Sequence, residues 1–396
     1  MSWPMVKLGD VVSIIRGITF KPNDQVEPLS EGSTIVMRTK NVQRSGLDIS
    51  NLIAIPDSFI KRDEQYLRSE DMLISSANSW DLVGKISFIE KLPANSTAGG
   101  FISIIRAKKE KVIPKYLYYW LTLEHTQVKI RNCGQKTTNI SNLNLERFKE
   151  LLIPLPSLNN QRRIVAILDK AAGIRQKREQ AIKLADDFLH TMFQKTFNSQ
   201  SFLLNGWEQK ELKDIALIQT GPFGTQLHKE DYIENGIPLI NPTNIKNGII
   251  IPNFKLCVER HKYDKLKEYH LKKGDIIMGR RGEMGRCALI NDKEDGWFCG
   301  TGSLFIRLNT PNEILSFYLN EYLSSEAIKN FLKKESRGVT MANLNKDIVG
   351  KIKINIPSAN ALTSFMKVKL KVDSIKKKIN HSDLETLLSS LSKKYF

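Results

Sequence analysis

The sequence predicts a mixed α/β (α+β) protein: two similar globular domains separated by two long antiparallel coiled-coil helices and related by a pseudo-two-fold internal repeat. The first observation is that the chain is written twice. Trp3, Leu8, Asp10, Ile14 and Gly17 reappear as Trp207, Leu212, Asp214, Ile218 and Gly221, and Asn142, Leu143 and Asn144 reappear as Asn343, Leu344 and Asn345. The shift stays near two hundred residues, far beyond the ~20–50-residue period of a solenoid, so each copy is a domain. The second is that each copy begins with short β-branched runs punctuated by Gly, Pro, Asn and Ser, the grammar of strands and loops. The third is that after a Pro-Ser in each copy the periodicity changes to that of a helix.

In chain order, the first domain (1–155) has strands at 33–38 and 101–106 and a helix with an aromatic face at 114–123. The central region (156–200) carries only Gly173 as a breaker from 157 to 197. Its Ile164, Ile167, Ala171, Ile174, Ala181, Ala185, Phe188 and Met192 step by three and four, with Arg178 the one interruption. This predicts a long helix packed as a coiled coil, with Ser157 as its N-cap. The second domain (201–356) repeats the strands at 275–278 and 303–307 and the helix at 314–323. The distal region (357–396) opens at Ser358 with Phe365, Val368, Val372, Ile375 and Ile379, then shifts register toward Leu384, Leu387, Leu388 and Leu391. Each stripe needs a partner, and each is the obvious partner of the other. A helix of ~35 residues spans about 50 Å. That separates two globules enough to touch DNA a helical turn or more apart, at ~34 Å per turn.

Sixty Lys and Arg against forty-two Asp and Glu leave a formal charge of +18, which makes a large polyanion the natural partner. No apolar run approaches the ~18–20 residues of a spanning helix, and the first residues lack a secretory layout, so the expectation is a cytoplasmic protein. Cys133, Cys257, Cys287 and Cys299 are scattered without metal-ligand spacing, which argues against zinc and against a disulfide framework. The six histidines are likewise unpaired. No phosphate-binding loop, His-Glu-x-x-His or Gly-x-Ser-x-Gly occurs. Phe298-Cys299-Gly300-Thr301-Gly302 fits a loop that holds S-adenosylmethionine in adenine methyltransferases, but such a loop should open a helix, whereas a strand follows here. The glycines are read as serving a turn. No catalytic residue and no metal ligand is expected.

The loops mix Arg, Lys, Asn, Gln, Ser and Thr, the side chains that read base edges and hold phosphates. In the first copy the DNA-contacting candidates are Arg16, Arg38, Lys40, Asn41, Ser76, Asn78, Trp80, Gln135, Lys136 and Thr138. In the second they are Gln219, Thr220, Phe223, Asn241, Asn244, Arg280, Arg281 and Arg337. These occupy equivalent places in the repeat, yet they differ while the framework matches. A symmetric scaffold with unlike loops implies two different half-sites, hence an asymmetric split target.

The Leu8-Gly9-Asp10 and Arg16-Gly17 opening, the Asp71-Met72-Leu73-Ile74 and Gly84-Lys85 stretches, and the Ile153-Pro154-Leu155-Pro156 junction together resemble the specificity subunit of Type I restriction-modification systems. The run from Gln161 to Asp169 looks like the family's central conserved region, and the resemblance covers the whole chain. It implies that each domain is a target recognition domain for double-stranded DNA and that the helix pair sets the spacer. It further implies two modification subunits docking at the central helix, through residues such as Gln161, Arg162, Ile164 and Ile167. Those partners would bring S-adenosylmethionine to methylate adenine, and restriction subunits would bring ATP and Mg. The second copy departs by having Ala361-Leu362-Thr363 in place of Gln-Arg-Arg. The alternatives are a specificity subunit of a Type IIB-like methyltransferase-nuclease, a stand-alone methyltransferase using residues 298–302, and a coiled-coil adaptor that never touches DNA.

Overall fold

The β-branched runs become strands because such side chains fit a pleated, half-buried surface. A computed structural model of the chain describes residues 3–44, 46–135, 140–197, 205–223, 226–282, 284–335, 344–380 and 395–396. The first repeat builds a four-stranded antiparallel sheet in the order Val12–Arg16, Ile102–Ala107, Met72–Ser75, Ile86–Phe88. The second builds the same sheet from Ala216–Thr220, Ser303–Leu308, Ile276–Gly279 and Cys287–Leu289. A smaller sheet contains one parallel pair. Ser33–Met37 lies between Ser96–Ala98 and Ala54–Pro56, as Ile237–Ile240 lies between Phe298–Cys299 and Cys257–Val258. The expected strand at 101–106 begins one residue late, because Phe101 sits in the preceding turn.

Strand alternation divides each core into two layers. Leu73, Ile102 and Ile104 pack with Ile35 and Met37 of the small sheet, while Met72, Ile74 and Ile105 pack with Tyr116, Leu117, Trp120 and Leu121 of helix Pro114–Thr122. Helix Glu313–Leu323 covers the second sheet in the same way. A two-toothed ion pair closes one end of each sheet. Arg106 donates to Asp71 at 2.8 and 2.7 Å, and Arg307 to Asp275 at 2.8 and 2.6 Å. The sequence after Phe298 turns directly into strand Ser303–Leu308, so residues 298–302 are a strand and turn and open no helix.

The stretch after Ser157 forms one helix, Leu158–Thr196, of 39 residues. Ser157 caps it, its Oγ accepting from the Asn160 amide at 3.5 Å and its carbonyl from the Gln161 amide at 2.9 Å. Ser358 repeats this cap for helix Ala359–Asn380. The chain divides into two compact units, Met1–Ala181 with Asn380–Phe396, and Ile182–Ile379. Each therefore joins one repeat to the start of its own helix and the end of the other. In the second unit Phe193 and Phe197 pack on Phe365, while Asp186 accepts from Lys376 Nζ, so the two helices run antiparallel there. In the first, Ile164 and Leu168 enter the core, and the Phe396 ring lies 5.1 Å from Tyr116. Phe197 lies 5.0 Å from Tyr318, the matching tyrosine of the second unit. The stripe Leu384, Leu387, Leu388 and Leu391 lies outside the described residues. Among the described residues no helix is long and apolar enough to cross a membrane.

Candidate nucleic-acid interface

One end of the four-stranded sheet gathers the sequence-selected side chains. Arg16 ends its strand opposite Ser103, and Ile102 pairs with Ser75, so Arg16 and Ser76 leave the sheet together. From Ser76 the chain enters Ala77–Asn78, which pairs with Ser141–Leu143, itself paired with Gly134–Gln135. Arg16, Ser76, Asn78 and Gln135 thus share one edge, and Trp80 follows Asn78 by two residues. Close backbone packing brings the Arg38 loop to the same place. A Cβ on Gly17 would stand 2.1 Å from the Gly99 carbonyl oxygen, and the Gly99 amide bonds the Met37 carbonyl at 2.9 Å. Only glycine permits that approach. Gly221 repeats it against Gly300 at 2.0 Å. Exposed Phe101 and Asn142 also lie on this edge, and sequence reading missed them because strand starts and register are invisible to periodicity.

The second unit builds the same edge with different chemistry. The Arg280 amide bonds the Gly302 carbonyl and its carbonyl accepts from Leu344, as Ser76 does with Phe101 and Leu143. Arg280 therefore stands where the first unit has Ser76. Its side chain is buried, with the guanidinium 5.7 Å from the Phe223 ring, and Phe223 itself is exposed. Burial, then neighbouring Arg281, lowers the pKa of Arg280 from its ordinary value. Thr220 is buried at the end of its strand, and Gln219 accepts from Lys346 Nζ at 3.1 Å. Arg281 is exposed. Lys136, Thr138 and Arg337 lie outside the described residues.

Arg38 and Lys40 make the most suggestive charge arrangement. Arg38 Nη2 donates to Asn51 Oδ1 at 2.9 Å and Lys40 Nζ to the same oxygen at 2.5 Å. Two cations thus meet one neutral acceptor, and neither has an ion pair among the described residues. Burial lowers the pKa of Arg38. Two cations on one loop are the chemistry that can hold a phosphate oxygen. Lys85, not selected as a contact from sequence, adds a buried cation nearby, donating to Gln43 Oε1 at 3.1 Å.

Besides Thr220 and Arg280, four more selected residues turn out to be internal. Asn41 is 1% exposed; its Oδ1 accepts from the Arg38 amide at 2.9 Å and its Nδ2 donates to the Asp48 carbonyl at 2.7 Å. Asn244 makes the same clamp, accepting from Asn241 at 3.0 Å and donating to Ile251 at 2.9 Å. Both close loops and have no amide group left for a base. Gln161 is wholly buried, accepting from the Ile113 amide at 2.7 Å and donating to the Lys111 and Pro156 carbonyls. Ile164 lies in the domain core. Neither can meet a partner, whereas Arg162 is exposed and Ile167 partly so. Asn241 reaches inward to accept from the Gly302 amide at 3.2 Å.

Comparison with known proteins followed the same two-part division. The Type I restriction modification DNA specificity domain matches twice, at residues 2–184 and 205–385. The Type I restriction enzyme StySPI specificity subunit of Salmonella potsdam is 27% identical over 353 residues, covering 84% of this chain and 73% of that protein. The putative MjaX specificity subunit of Methanocaldococcus jannaschii is 27% identical over 378 residues, covering 90% of this chain and 83% of that one. In fold, the chain is similar to a crystal structure of a Type I restriction-modification S subunit from M. genitalium, with TM-score 0.54, 18% identity, and coverage of 100% and 96%. A chain from a study of type I R-M complex assembly gives TM-score 0.57 at 17% identity, with coverage of 100% and 97%.

Proposed function

Because the chain belongs to the Type I restriction-modification DNA specificity family, we propose that each of its units reads one half of a bipartite, asymmetric double-stranded DNA sequence for partner enzymes. The chain is a specificity subunit with two target recognition domains. The observation that carries the half-site reading is that the two units share a backbone framework down to individual hydrogen bonds while the edge built on it differs: Ser76 against Arg280, Arg38 against Asn241. In this reading Arg16, Arg38, Lys40, Ser76, Asn78, Trp80 and Gln135 face the first half-site. Gln219, Phe223 and Arg281 face the second, with Arg280 holding Phe223 in place.

The chain itself is non-catalytic in this reading. Two modification subunits supply S-adenosylmethionine and transfer its methyl group to adenine, and restriction subunits supply ATP- and Mg-dependent cleavage. The outward side of the central helix, including Arg162 and Ile167, is where a modification subunit docks, and the assembly works in the cytoplasm. The helices set the number of unread bases between the half-sites. Sequencing the methylated sites in cells that carry this chain with its modification subunit tests the proposal. A split adenine motif is expected; an undivided palindrome, or methyl transfer by the purified chain alone, would overturn it.

A further inference from the structure

Residues 42–43 and 46–47 pair in the first unit as residues 245–246 and 249–250 pair in the second, giving each a small hairpin ladder. Val42 pairs with Leu47 and Gln43 with Gly46, just as Ile245 pairs with Ile250 and Lys246 with Ile249. Val42, Ile245 and Ile250 are buried; alternation turns Lys246 and Ile249 outward in the second hairpin, while Gln43 and Gly46 of the first are half-buried. Each hairpin starts and finishes at its clamp asparagine, Asn41 or Asn244. A cation from the four-stranded sheet supports each base: Lys85 Nζ reaches Gln43 Oε1 at 3.1 Å, and Arg286 Nη1 reaches the Ile245 carbonyl at 3.3 Å. Lys85 follows Gly84, whose amide bonds the Ser75 carbonyl at 2.8 Å. The hairpin is therefore tied directly to the edge that carries Ser76 and Asn78.

The bases match and the tips do not. The first tip presents exposed Arg44, close enough to Lys85 for their charges to repel, and follows the Arg38 and Lys40 pair in the chain. The second presents exposed Lys246 and Asn247 with Ile249, which is 64% exposed, and has Asn241 and Thr243 where the first has Arg38 and Lys40. Asn247 and Gly248 hold φ of 50° and 73°, the left-handed pair that a tight two-residue hairpin turn requires. The major groove admits a two-stranded ribbon. There Arg recognises guanine, Asn recognises adenine, and an apolar side chain recognises the thymine methyl. An exposed isoleucine beside a lysine and an asparagine on a rigid turn is an unfavourable surface for water and a fitting one for a base step.

We propose that each hairpin is the ribbon that enters the major groove. Arg44 reads within the first half-site, flanked by Arg38 and Lys40 on phosphates, and Lys246, Asn247 and Ile249 read within the second. This rests on the DNA-reading function proposed above and names the residues that set its specificity.

The test exchanges Gln-Arg-Ser-Gly at 43–46 for the Lys-Asn-Gly-Ile of 246–249 in the full chain, assembled with its modification subunit and S-adenosylmethionine. The first half of the methylated motif should change while the second half and the spacer stay. The single variants Arg44→Ala and Asn247→Gly, the second keeping the left-handed backbone of the turn, should each lower discrimination against one mismatched base pair by roughly 5- to 150-fold. An unchanged motif with unchanged discrimination overturns the proposal, as does a change in both half-sites. Loss of partner assembly with DNA affinity intact also overturns it, since the tips would then be protein contacts. Absence of a split motif with the native chain would instead sink the functional reading itself.

Discussion

Replacing Asp71 with alanine should destabilise the first unit alone. Asp71 accepts two hydrogen bonds from Arg106 and one from the Arg68 amide at 2.8 Å, and its side chain is 3% exposed. Removing one member of a buried pair strands the other and costs roughly 3–5 kcal/mol. Arg106 is 18% exposed and keeps its bonds to the Glu64 and Tyr66 carbonyls, so water reaches it and the lower figure, about 3 kcal/mol, applies. In a unit of this size each kcal/mol lowers the melting temperature by about 2–4 °C, giving a drop of about 6–12 °C. Hydrogen exchange resolves where the loss falls: amides of Met72–Ser75 and Ile102–Ala107 should lose protection while those of Ile276–Gly279 and Ser303–Leu308 keep theirs. Asp275→Ala should give the mirror result through Arg307. A drop below about 2 °C, or equal loss in both sheets, would refute the view that each ion pair locks its own unit.

Gly17→Ala and Gly221→Ala should each cost about 1–3 kcal/mol in denaturant unfolding, because the new Cβ meets a backbone carbonyl that side-chain motion cannot relieve; wild-type stability in either would contradict the packing. Asn41→Ala and Asn244→Ala should lower stability by about 1–3 kcal/mol and weaken DNA binding without changing the methylated motif, since their amides serve the loop; an altered motif would show that they read bases after all. Burial raises the pKa of all four cysteine thiols, Cys287 to about 12, so a thiol reagent at pH 8 should label the native chain slowly and the denatured chain fully. A raised thiol pKa gives stability that is complete below the unfolded value of 9.0 and is lost as pH climbs toward about 12, so unfolding titrations above pH 9 should show falling stability.

The framework was legible because it is carried by repeated apolar positions and by glycines. Ile14 and Ile218, Tyr116 and Tyr318, and Gly17 and Gly221 mark matching places whatever the loops do. The edge was legible only in part. An asparagine amide has the same donor and acceptor whether it meets adenine or its own backbone, so Asn41 and Asn244 looked like readers until burial showed otherwise. Lys85 was noted only as part of the family resemblance and not as a contact, because its partner Gln43 lies 42 residues away on a different element and no local pattern links them. Arg280 was selected for its charge, yet its position in the place of Ser76 comes from the sheet register, which periodicity does not reveal.

The same distinction between inward and outward residues resolves the difference between the helix starts. The loss of Gln-Arg-Arg in the second copy reads as a single change in sequence, but it is two in space. Counted from the matching caps Ser157 and Ser358, Gln161 corresponds to Leu362, one residue on from the Ala361 that the sequence comparison set against it; Gln161 is a staple that ties the helix to Ile113, Lys111 and Pro156, and Leu362 replaces those polar bonds with apolar burial in the second unit's core. A partner touches neither residue. Arg162 and Arg163 are exposed, as are Thr363 and Ser364 in their places, so that pair helps to make the two outward faces unequal. Further along, Lys170 and Lys177 are matched by Lys371 and Lys378, all exposed. Two identical modification subunits would therefore meet the same lysines at both helices but different neighbours around them: Arg162 and Arg163 against Thr363 and Ser364, Ala166 against Lys367, and Gln176 against Lys377.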